Sequence, residues 1–75
     1  MQKYVEFSTD LEKYIHRKVS AIRVGECMQI EITASSKEEK EDVNKAIRKS
    51  AHYNNLQVRV FWSKANDFVK VINEL

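Results

Sequence analysis

Polar and apolar residues alternate in three stretches of this chain. Over 27–34, Met28, Ile30 and Ile32 fall on one side, with Gln29, Glu31 and Thr33 on the other. Over 56–62, Leu56, Val58, Val60 and Trp62 face away from Gln57, Arg59 and Phe61. Over 2–8, Val5 and Phe7 oppose Tyr4 and Glu6. A period of two predicts strands, and polar residues on the second side predict a sheet covered on one face only.

Between these stretches the period changes to that of a helix. Thr9 and Glu12 form a capping-box pair, and Leu11, Tyr14, Ile15, Val19 and Ile22 follow at helical spacing. Gly25 stands where a glycine after a helix end belongs. Ser36 with Glu39 opens a second helix whose apolar stripe is Val43, Ala46, Ile47 and Ala51. Asn54 and Asn55 can close it, because Asn tolerates the left-handed conformation. A third helix is expected from about Lys64, capped by Ser63, with Ala65, Phe68, Ile72 and Leu75 on one face and Val69 and Val71 outside that stripe.

The resulting order is βαβαβα, an α/β two-layer sandwich with a three-stranded sheet and helices mainly on one face. Right-handed crossovers make such a sheet parallel, yet parallel sheets are normally covered on both faces. A homodimer that covers the open face would resolve the conflict. Val24-Gly25-Glu26-Cys27 also fits a Gly-X hairpin turn between strands over 19–24 and 27–32. That alternative is an α+β, ferredoxin-like βαββαβ order plus a C-terminal helix. The continuous helix fits better, since the hairpin leaves no loop before Val19 and sets Ile22 and Val24 beside Gln29 and Glu31.

Composition narrows the picture. Seventy-five residues make one domain, spanning 1–75, and a chain of this size buries only about 60% of the surface it exposes when unfolded. A large enclosed active site is not expected. The lone Cys27 excludes an intramolecular disulfide and a cysteine zinc cluster. With no proline and only Gly25 as glycine, there is no phosphate-binding glycine loop. No apolar run reaches the ~18 residues of a membrane span. One thiol and no apolar leader point to a cytoplasmic setting.

The 13 Lys plus Arg exceed the 11 Asp plus Glu by two, so the placement of charge matters more than its sum. Lys45, Arg48, Lys49 and His52 recur at spacings of three and four on the second helix, as a phosphate-binding row would require. Arg59 and Lys64 extend the row, and Arg17 and Lys18 add charge late in the first helix. The competing explanation is that acids begin each helix and cations end it, as the macrodipole favours. Phe61 must face away from the core because Trp62 adjoins it. With Arg59 and Tyr4 it forms a base-stacking platform, a protein or dimer contact, or ordinary packing under a loop. Phe68, Val69 and Val71 make the last element apolar enough either to dock on a partner or to be buried deep in the monomer.

Catalytic chemistry finds no support. His16 has only Glu12 four residues before it, and one pair is not a metal site; His52 has no such partner, Cys27 lacks an activating base, and the Glu38-Glu39-Glu41-Asp42 run lacks the alternation of a calcium loop. No enzyme activity, metal or cofactor is expected.

The order of elements from Lys3-Tyr4-Val5-Glu6-Phe7 to Leu56-Gln57-Val58-Arg59-Val60-Phe61-Trp62 resembles the βαβαβ core of Alba-type proteins. It is also similar to the C-terminal domain of translation initiation factor three. Those folds close with a fourth strand, where this sequence reads as a helix. The resemblance implies binding of RNA or DNA, and dimerisation as in Alba proteins. By composition, glycine-poor and rich in Lys, Glu and Asn, the chain also looks like small early phage proteins. Many of those are regulators or inhibitors that bind and block one host protein in the host cytoplasm.

Overall fold

The computed structural model describes Phe7 and residues 9–74. In chain order the elements are α1 (Asp10–Ser20), β1 (Cys27–Glu31), α2 (Lys37–Tyr53), β2 (Val58–Trp62) and β3 (Phe68–Asn73). The strand expected over 2–8 lies outside the described residues apart from Phe7, which has no regular secondary structure.

Both helices begin where their caps place them. Thr9 Oγ1 accepts from the Glu12 amide, and the Glu12 carboxylate returns to the Thr9 amide. Ser36 Oγ accepts from the Glu39 amide. The Glu39 carboxylate turns back to the Ser35 amide and hydroxyl, both at 2.9 Å. The Ser35 backbone donor, then its side chain, hold the Glu39 carboxyl below its ordinary value. At the far end of α2, Asn54 caps and Asn55 takes φ 56, as its side chain permits. Helix α1 stops earlier than its apolar spacing implied, at Ser20 with Ala21 as cap. Gly25, at φ 81, sits at the lead-in to β1 rather than at the helix end. Residues 19–24 form no strand, so the hairpin alternative does not occur.

In place of the helix expected from about Lys64, residues 64–67 form a turn and Phe68–Asn73 a strand, and this is the main correction. Ser63 does act as a capping side chain, but of a turn: its hydroxyl accepts from the amides of Asp67 and Phe68. Asn66 enters the left-handed region at φ 57 and reverses the chain. The β-branched residues Val69, Val71 and Ile72 then favour extended backbone over a helix. β3 lies between the other two strands, in the order β1-β3-β2, and is antiparallel to both. The fold is therefore α+β with an antiparallel sheet, not the parallel βαβαβα sandwich.

Ile30, Val69 and Val71 are wholly buried against Ile15, Val19, Val43 and Ile47 of the two helices. Enclosing each of the isoleucines stabilises the fold by about 1.5–3 kcal/mol. Trp62 anchors α2 over β2, donating to Asn44 Oδ1 at 3.0 Å, and Tyr14 anchors α1 over β1 by donating to the Glu31 carbonyl at 3.1 Å. Asn73, at the end of β3, is buried. Its backbone accepts from the Gly25 amide and donates to the Glu26 carbonyl, fixing the loop that enters β1.

The antiparallel ladders fix which amides are protected. The bonds Ser63 N–H to Phe68 C=O and Glu74 N–H to Gln57 C=O lie in the β2–β3 register. Odd-numbered residues of β2 thus bond β3, and the amides of Val58, Val60 and Trp62 point outward. Hydrogen exchange should find Val69, Val71 and Phe61 amides among the slowest and Val60 fast. A slow Val60 amide with fast exchange at Val69 and Val71 would contradict this register.

Candidate nucleic-acid interface

The polar seam between the helices consumes part of the expected basic surface. Lys49 Nζ bridges Glu12 at 2.8 Å and stands over the Phe7 ring at 5.1 Å. Farther along α1, His16 Nδ1 meets the buried Ser50 hydroxyl at 2.7 Å, and Asn54 Nδ2 donates to Ser20 Oγ at 3.1 Å. These pairs ascend together in both helices, so α1 and α2 run in the same sense. Phe7 stacks on His16 with centroids 3.9 Å apart, and Tyr53 closes edge-on against both rings. These groups lock α1 to α2, and Lys49 belongs to the packing.

The remaining expected cations separate into distinct places. Lys45, Arg48 and His52 are all exposed along one side of α2, where Lys45 also edges the cleft toward α1. Arg17 is exposed on α1, while Lys18 lies over the Tyr14 ring at 5.7 Å. Lys64 is exposed in the β2–β3 turn. Arg59 lies on the opposite side of the molecule, on the sheet face that the helices leave open, paired to Glu74 at 2.8 Å. A cleft of about 430 Å³ separates the start of α1 from α2, but Glu12 and Asp42 balance Lys45 and Lys49 in its wall. It is no dedicated anion pocket.

The open sheet face is defined by alternation. Cys27, Gln29 and Glu31 of β1, Phe68, Lys70 and Ile72 of β3, and Arg59 and Phe61 of β2 all point away from the helices. Phe61 is 49% exposed, as its position beside the inward-facing Trp62 requires. Tyr4, expected on the same face, lies outside the described residues. Val69 and Val71, expected to meet a partner from a terminal helix, are instead enclosed in the monomer core. Phe68 does reach the open face, from a strand. Lys70 joins the surface without having been expected there, although the Val69-Lys70-Val71 alternation carries the signal.

Among the described residues no group of three or more His, Cys, Asp or Glu is arranged to hold a metal, and Cys27 is an exposed free thiol. No described helix is long and apolar enough to cross a membrane. None of the known protein families, curated proteins or solved structures significantly matches this chain.

Charge reversal separates packing cations from free ones. Lys49→Glu sets two carboxylates against each other at the half-buried seam and should destabilise the fold by about 1–2 kcal/mol in urea titration. Arg48→Glu should change stability by no more than about 0.5 kcal/mol. Equal effects of the two would contradict the assignment.

Proposed function

We propose that this chain is a small, non-enzymatic nucleic-acid-binding protein that favours RNA and meets phosphates through the outward face of α2. The observation that carries this reading is the exposed Lys45–Arg48–His52 row. Its spacing sets the three side chains one above another, and among the described residues Lys45 and Arg48 form no ion pair. Lys49, Lys18 and Arg59 are each held by an intramolecular contact. A cation not already engaged is the kind that releases counterions when it meets a phosphate.

The resemblance to Alba-type and initiation-factor domains supports RNA or DNA as the ligand. An exposed thiol suits a reducing cytoplasm.

Fluorescence anisotropy with labelled single-stranded RNA tests the reading. Binding should weaken steeply from ~50 to ~200 mM salt, and Lys45→Glu with Arg48→Glu should flatten the log–log salt slope by about 0.7 for each phosphate no longer neutralised. Absence of binding at the lower salt would overturn the proposal and leave the phage-type regulator of a host protein as the reading to pursue.

A further inference from the structure

We infer that the open face of the sheet stacks unpaired nucleobases, with Phe61 and Phe68 as platforms and Lys70 between them as the phosphate contact. This rests on the nucleic-acid reading above and narrows its ligand to single strands.

Registers lay the face out as a grid. One row is Cys27, Ile72 and Arg59; the next is Gln29, Lys70 and Phe61; the third begins with Glu31 and Phe68. Phe61 and Phe68 are thus diagonal neighbours on adjacent strands, about 7–8 Å apart across the sheet. That separation allows each ring to take one base of the same strand. Among the described residues neither ring stacks on another aromatic; Phe61 is 49% exposed and Phe68 is half-buried. Stacking needs no base identity, because every base has a π-face. Lys70 adjoins both rings, directly across from Phe61 and two residues from Phe68. Arg59 lies two residues from Phe61. Gln29 sits across from Lys70 with amide donors and acceptors for a base edge, and its Nε2 already engages Glu31 at 2.8 Å.

Charge and shape choose this occupant over the others. A second copy seated symmetrically on the face would press Lys70 onto the same lysine of that copy at the centre of the grid. An apolar protein surface would bury Lys70, which among the described residues forms no ion pair, while Arg59 keeps Glu74 as its counter-charge. A duplex hides its bases in the stack and presents nothing to two flat rings. A single strand supplies both exposed bases and phosphates.

The test compares a labelled single-stranded uridine-rich RNA of ~12 nucleotides with a duplex of equal length, with stability checked by circular dichroism. Phe61→Ala should weaken single-strand binding roughly tenfold with the salt slope unchanged, and Phe61→Trp should restore it. Lys70→Gln should weaken binding and flatten the slope by about 0.7. Phe68→Ala repeats the test from the second ring. If Phe61→Ala and Phe68→Ala leave affinity intact while reversal at Lys45 and Arg48 abolishes it, the inference fails and the nucleic-acid reading stands. If the wild type binds no RNA, both fail. Light scattering without RNA supplies another check: a dimer that Phe61→Ala dissociates would assign the face to a second copy and overturn the inference.

Discussion

β3 is the strand on which the rest of the structure depends. It is the hydrogen-bonding partner of both β1 and β2, which do not touch each other in the sheet. Its inward residues Val69 and Val71 fill the centre of the core, and Asn73 ties down the loop that leads into β1. Its outward residues Phe68, Lys70 and Ile72 form the midline of the open face. One six-residue segment thus supplies the cohesion of the sheet and the middle of its exposed surface, because a strand divides alternate side chains between two environments.

The two helices cover only one side of that sheet. Tyr14 and Trp62 peg them at opposite edges, and the seam from Glu12–Lys49 through His16–Ser50 to Ser20–Asn54 holds them to each other. This arrangement commits charged and polar groups to mutual orientation. It divides the remaining cations between two surfaces that face away from each other: Lys45, Arg48 and His52 outside the helices, and Lys70 with Arg59 outside the sheet. Cations on the helix layer attract a polyanion at a distance limited by screening. Under the proposed function, groups on the sheet face would offer the flat aromatic surface that holds a single strand at short range.

Much of the fold is legible in the sequence. Thr9 with Glu12, and Ser36 with Glu39, locate both helix starts because capping is local chemistry. The alternation in 27–31 and 58–62 locates two strands and puts Phe61 outward and Trp62 inward. The third strand reads as a helix because Ser63 resembles a helix cap, and Phe68 and Ile72 share helical spacing by coincidence. Its β-branched residues and the Val69–Val71–Asn73 alternation favour a strand, and only the free bonding edges of β1 and β2 decide between the two. The candidate surface is legible in part. Periodicity yields the Lys45–Arg48–His52 row. It cannot show that Lys49 turns to Glu12, 37 residues away in sequence, or that Lys70 stands beside Phe61. Both are facts of tertiary register.

Backbone amide NMR of the isotopically labelled chain, titrated with a short single-stranded RNA, tests most directly whether the open sheet face holds the strand. The largest shifts should fall on Gln29, Phe61, Phe68 and Lys70, with smaller ones on the outward face of α2. Shifts confined to α2, or no shifts at all, would contradict that role for the sheet.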